Sequence, residues 1–173
     1  MQINCHACLI IVTRVDIVSY INSDNSDNSE YRHMYHTSPQ LIVNGSINSN
    51  GIAGVCLFFS DDVYRTSASS TYVYEAEFNC VSASQLYDLE IVSDIAEYFD
   101  IDESLAESLL DASECEWNQG FVCSADDSWW LQGKRGECAA RMGYDGCKDS
   151  DEQGTVYIVP MLGREGELTL IEE

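Results

Sequence analysis

The order of secondary-structure signals along this 173-residue chain predicts an α+β fold. Strand-like runs come first, at Met34–Thr37, Val55–Phe59 and Tyr72–Phe78. Apolar residues at helical spacing fill the middle, from Leu86 to Met142, and strand-like runs return from Tyr144 onward. Neither βαβ alternation nor an internal repeat interrupts that order. The length suits one domain with a single core, and a hydrophobic content of 45% is that of a globular chain.

The first 33 residues differ from the rest. A β-like run, Ile3 to Ile21, alternates Val15 and Ile17 with Arg14 and Asp16, and leads into the wholly polar near-repeat Asn22–Glu30, which reads as a linker. The sequence therefore divides into an N-terminal extension, 1–33, and a domain, 34–173, with Met34 as an alternative translation start. Within the domain, Ser82 and Gln85 have capping-box spacing and predict a helix carrying Leu86, Leu89, Val92, Ala96 and Phe99 inward. A second helix follows, with Asp102 near its start and Ile101, Leu105 and Leu109 on one face. After a loop, Glu114 to Ala125, a third helix starts near Asp127, turns Leu131, Cys138, Ala139 and Met142 inward, and ends at Gly143. Strands are expected at Tyr144–Cys147, Thr155–Pro160 and Glu167–Ile171, with turns at Gly154, Gly163 and Gly166.

Eight Lys and Arg against 30 Asp and Glu give a formal net charge of −22. From Thr66 to Gly133 there is no basic residue, against fifteen acidic ones between Glu75 and Asp127. Such a surface repels nucleic acid and anionic membranes and favours basic protein partners; general solubility is the plainer explanation. The chain has eight Cys but no basic-then-apolar leader, and the apolar run Leu9 to Val12 is too short for a membrane span. The expected setting is the cytoplasm, with reduced and mostly buried thiols. Cys5 and Cys8 form a CxxC without a second pair at metal-site spacing.

The common nucleotide, metalloprotease and hydrolase motifs (GxGxxG, GxxxxGK[ST], HExxH and GxSxG) are missing, and only three His are present, at 6, 33 and 36, so no metal site is expected. Three segments remain as candidates: Tyr35-His36-Thr37-Ser38-Pro39, Gly54 to Ser60 with its Phe58-Phe59 pair, and Asp149 to Thr155. Each has a plain structural reading taken alone: a satisfied core histidine, core aromatics, a solvated acidic turn.

Taken together, they resemble the small phage anti-CRISPR ADP-ribosyltransferases that inactivate type I-F CRISPR surveillance complexes. Tyr35-His36-Thr37-Ser38 matches that family's aromatic-His-Gly-Ser strand, and Gly54 to Phe59 matches its Gly-aliphatic-Phe segment. The most specific block is C-terminal: Trp130-Leu131-Gln132, Arg135-Gly136, Ala140-Arg141, Gly143-Tyr144 and Asp151-Glu152-Gln153-Gly154-Thr155. Thr37 replaces the family's Gly, and Gln153 replaces its His. The resemblance spans nearly all of residues 34–173 and implies a compact ADP-ribosyltransferase-like fold, with small mixed and antiparallel sheets and a central helical segment.

It also implies NAD+ as co-substrate, without a metal, and a protein target such as a Cas subunit. Nicotinamide departure builds oxocarbenium-like positive charge on ribose, which a fixed anion stabilises more in the transition state than in the ground state. The resemblance makes Asp151 that anion. A flat apolar slot for nicotinamide falls to Phe58 or Phe59, since strand neighbours face opposite ways, and the motif match favours Phe59. His36 then meets the adenosine ribose and Thr37 holds the carboxamide through its backbone, with Ser38 and Ser60 at the same strand ends. Arg65 or Arg135 is left to meet the pyrophosphate, Arg135 having a helix-capping or ion-pair role as its alternative. The competing function is a non-enzymatic mimic of DNA whose acidic surface fills a basic groove.

Overall fold

The structure, a computed structural model, describes residues 31–63, 72–120, 123–151 and 154–172. The expected linker Asn22–Glu30, the run Ile3 to Ile21, the Cys5/Cys8 pair, Arg65, Glu152 and Gln153 lie outside the described residues. Among those described, seven strands and three α-helices follow in the order β1 (Arg32–Ser38), β2 (Cys56–Phe59), β3 (Tyr72–Phe78), β4 (Cys80–Ser82), α1 (Leu89–Phe99), α2 (Glu103–Leu110), α3 (Ala125–Arg141), β5 (Gly146–Asp151), β6 (Gly154–Pro160) and β7 (Thr169–Glu172). The fold is α+β.

β1 starts before Met34: Arg32 and His33 already pair with Phe78 and Glu77 of β3, so the boundary drawn after residue 33 falls inside a strand. β4 is an addition to the sequence reading, three residues long with Val81 buried. The capping signal at Ser82 does not start a helix. Its side chain caps nothing and only a 3-10 turn, Ala83–Gln85, follows, with Leu86 back in extended backbone. Asp88 caps α1 instead, accepting from the Glu90 and Ile91 amides, so Leu86 packs in the core ahead of the helix while Leu89 is 69% exposed. α2 forms as expected, with the Asp102 carboxylate accepting from the Leu105 amide. α3 begins two residues early because Ser124 and Asp127 close a reciprocal capping box, and its last expected core residue, Met142, is its exposed C-cap. β5 runs from Gly146 to Asp151, later than the expected Tyr144–Cys147.

The strands form two sheets. One is antiparallel, in the order β1-β3-β7; the other is β2-β6-β5-β4, antiparallel apart from the parallel β4–β5 pair. All three α-helices lie in the chain between β4 and β5, which are neighbours in the sheet. At the leading ends of these two strands, the Asn79 amide donates to the Asp145 carboxylate at 2.8 Å and the Asp145 amide to the Asn79 carbonyl at 2.9 Å. Two cores result. Ile91, Ile95, Leu109, Leu110, Leu131 and Cys147 unite the helices with one face of the second sheet. Met34, Phe59, Phe78, Tyr157, Val159 and Met161 fill the space between the sheets. Gly133 and Gly136 let α3 lie flush: a Cβ on Gly133 would stand 2.6 Å from the Ala53 carbonyl oxygen, and one on Gly136 2.9 Å from the Cys56 sulfur. No described helix is long and apolar enough to cross a membrane.

Candidate functional site

The two sheets meet where β1 runs beside the end of β2. Tyr35 and Ser60 exchange both backbone hydrogen bonds, at 2.9 and 3.0 Å, in an isolated antiparallel bridge. One residue further along β1, the His36 ring comes in: its Nδ1–H donates to the Phe58 carbonyl at 2.8 Å. A carbonyl only accepts, so this bond fixes the tautomer and makes Nε2 an acceptor. Burial lowers the His36 pKa, partly opposed by the bond to Phe58, so the ring is neutral at pH 7. Backbone groups along a strand alternate in direction. Since those of Tyr35 point at Ser60, those of Thr37 point to the same side of β1.

Phe58 and Phe59 part company as strand alternation requires. Phe59 is 1% exposed and projects into the core between the sheets, edge-on to Phe78 at 5.3 Å and 5.5 Å from the His36 ring. Phe58 is only partly buried and projects from the opposite face, so of the pair it is the one with surface to offer a flat ligand. The motif match pointed to Phe59; core packing between two sheets is what that residue does.

Asp151 ends β5, facing Gly154 across the β5–β6 hairpin, and its Oδ1 accepts the Gly154 amide at 3.1 Å. The side chain is exposed. Phe59 pairs with Tyr157 and Tyr157 with Lys148, so Asp151 lies three residues further along the sheet and two strands across. That spacing corresponds to roughly 10 Å along the strands and roughly 10 Å across them. By the same register, Asp151 shares a sheet face with Phe58, Val156 and Asp149, while Phe59 and Tyr157 occupy the other.

The remaining candidates separate clearly. Arg135 is buried, 5% exposed: Nη1 contacts Asp149 Oδ2 at 2.5 Å, and Nε and Nη2 both donate to the Leu109 carbonyl, at 3.2 and 2.6 Å. It ties α3 to β5 and to the end of α2, which is the ion-pair role left open for it and not that of a pyrophosphate ligand. The hydroxyls of Ser38 and Ser60 donate within the chain, to the Gln40 and Asp62 carbonyls at 2.7 and 2.6 Å, so they close their strands. Sequence reading missed a cluster at this end of the seam. The Tyr157 hydroxyl donates to Asp61 at 2.9 Å, and Arg32 hydrogen-bonds to the same hydroxyl; burial, then the bond to Asp61, raises the Tyr157 pKa. Its one sequence signal is the Asp pair that follows Ser60.

A cavity of 650 Å3 lies elsewhere, between α3 and the chain from Ser49 to Cys56, against Trp130, Lys134 and Arg141. Neither His36, Phe58 nor Asp151 lines it, and its cations are engaged: Lys134 with Asp94 and Glu137, Arg141 with Glu90 and Glu137. No group of three His, Cys, Asp or Glu suited to a metal ion occurs among the described residues.

No family model matches the sequence, and no curated protein does. Among solved structures, the chain is similar to one described as the crystal structure of an anti-CRISPR protein. The TM-score is 0.54 at 21% identity, and the match covers 84% of this chain and 97% of that one. At that identity the likeness is one of fold.

Proposed function

We propose that this chain is an NAD+-consuming mono-ADP-ribosyltransferase that acts as a phage anti-CRISPR, modifying a protein of a CRISPR surveillance complex. The observation that carries the reading is the seam between the sheets, where a neutral His36 takes the place of a backbone rung beside the partly buried Phe58. That geometry suits a nicotinamide carboxamide on the Thr37 backbone, with the Phe58 ring as its apolar wall and the His36 Nε2 accepting from a ribose hydroxyl. The solved anti-CRISPR structure with this fold supports the biological setting. A type I-F Cas subunit is the target that the sequence motifs favour. Arg32, beside Tyr157, is the cation we assign to the pyrophosphate in place of Arg135.

In the reaction, the C1′–N bond of NAD+ breaks and nicotinamide leaves as a neutral molecule with the bonding pair. The target's side chain supplies the pair for the new bond to C1′ and gives up its proton to solvent. Asp151 holds the developing positive charge. It stands on the β5–β6 hairpin two strands from the seam, on the sheet face of Phe58, and that separation from the nicotinamide wall is what weighs most against it as the anion beside C1′.

The test is nicotinamide release and transfer of labelled ADP-ribose, measured with a purified type I-F surveillance complex. Asp151→Asn is expected to lower the rate about 10²–10³-fold. Full activity in that variant, or no release by the wild-type chain, refutes the reading. The exposure of Asp151 and the −22 charge favour the DNA-mimic alternative. A mimic keeps inhibiting after Asp151→Asn and loses its inhibition as salt is added.

A further inference from the structure

Large aromatics on the surface mark contact sites when they sit together on a rigid support. At one corner of the helical layer Tyr98, Trp117 and Trp129 are 46%, 52% and 50% exposed. Their support is fixed by specific bonds. The buried Glu116 accepts from the Ser128 hydroxyl at 2.6 Å, tethering the 3-10 turn Glu116–Asn118 to the first turn of α3, and Trp117 and Trp129 each follow one of these residues. The Tyr98 hydroxyl donates to Asp127 at 2.8 Å, and its ring stacks on Trp130 with centroids 3.8 Å apart. The Tyr98 ring and the backbone that carries the two tryptophans are therefore held in place before any partner arrives, which lowers the entropy cost of docking.

The charge around them is predominantly negative, and the cation beside them, Lys134 at 5.6 Å over the Trp130 ring, is itself paired with Asp94 and Glu137. Every formal charge from Thr66 to Gly133 is negative. Some of it sits where the fold gains nothing from it: Asp100 ends α1 with φ 55°, an acid in the left-handed region at the negative end of a helix. Arginine is the complement to such a face, since its planar cation stacks on tryptophan while pairing with carboxylates.

We propose that this corner is the docking face for an arginine-rich protein surface, separate from the seam at His36. Within the function proposed above it is where the modified protein binds, and it rests on that reading only for the partner's identity. Docking here brings a basic target to the enzyme while chemistry proceeds at the sheet edge.

The test uses an alternating arginine–glycine peptide and its lysine–glycine counterpart of equal length as probes, with calorimetry on the full chain and no NAD+ present. The arginine peptide is expected to bind more tightly, and Trp117→Ala with Trp129→Ala to weaken it about tenfold although no charge changes. Asp126→Asn is expected to weaken it by a few-fold and Glu172→Gln, on β7, by less than about twofold. Wild-type affinity in the tryptophan variant, verified as folded by circular dichroism, overturns the proposal. So does an equal loss from Asp126→Asn and Glu172→Gln, which means diffuse attraction. If the transferase reading fails, this binding pattern is unaffected; if docking fails, nicotinamide release still stands as its own measurement.

Discussion

Replacing Arg135 by Met tests how much of the fold hangs on one buried cation. Arg135 and Asp149 have side chains 6% and 4% exposed, and their ion pair is completed by two donations to the Leu109 carbonyl. Methionine keeps much of the length and apolar stem but none of the donors. Asp149 is then left as a buried carboxylate that still accepts from the Ser150 amide, and the Leu109 carbonyl loses both guanidinium donors. Breaking a buried pair from one side costs about 3–5 kcal/mol. The Leu109 carbonyl keeps a long bond from the Ala112 amide at 3.4 Å, so its loss of donors adds about 1 kcal/mol. The two costs overlap, so a loss of about 4 kcal/mol is expected, a large share of the 5–15 kcal/mol typical of a domain. Urea unfolding followed by circular dichroism measures it. Arg135→Met with Asp149→Leu removes the stranded charge and should recover all but about 1–2 kcal/mol. A single-variant loss below about 1.5 kcal/mol, or a double variant no better than the single, refutes the view of Arg135 as the clamp that holds α2, α3 and β5 together.

Two further outcomes follow from local geometry. His36 has its pKa lowered from 6.5 by burial, so below that pH the unfolded chain binds the extra proton more readily. Its contribution to stability is therefore full above about pH 6.5 and shrinks as the pH falls toward the folded value, levelling off beneath it. Urea midpoints of wild type and His36→Gln should diverge most above that window and converge through it; a difference independent of pH sinks the argument. Asp100→Gly relieves a left-handed residue, φ 55°, and removes an acid from the end of α1. It should stabilise by about 1 kcal/mol, raising Tm by a few degrees, while weakening binding of the arginine peptide. An unchanged or lower Tm shows that Asp100 carries no strain.

The class of fold and most elements were legible because burial repeats with the right period: β3, α2 and β6 fall where apolar spacing puts them. Misreadings came where two residues met the same local rule. Ser82 and Asp88 are both good caps, and only the buried position of Leu86 decides that the chain stays extended between them. β4 is too short to show a period, and exists because β5 offers it a partner. At the seam, the sequence brings His36 and the Phe pair together correctly, yet cannot say which phenylalanine lies in the core, since that depends on the second sheet. Nor does it show that Arg135 is spent internally: its partners Asp149 and Leu109 come from two other elements. The Arg32–Tyr157–Asp61 cluster joins three separate segments, and the Asp pair after Ser60 is the one trace it leaves in the sequence.

The helical stretch leaves the second sheet at the end of β4 and returns at the start of its parallel neighbour β5, where the reciprocal Asn79–Asp145 bonds join the leading ends of both strands. Because β4 is three residues long and parallel to β5, the end of β4 at Ser82 and the start of β5 at Gly146 are two residues out of register on adjacent strands, roughly 8 Å apart. A segment with adjoining ends can be lengthened, recharged or swapped between relatives with little effect on strand register. Changes within this excursion can then alter the helical surface while leaving the seam between the two sheets in place.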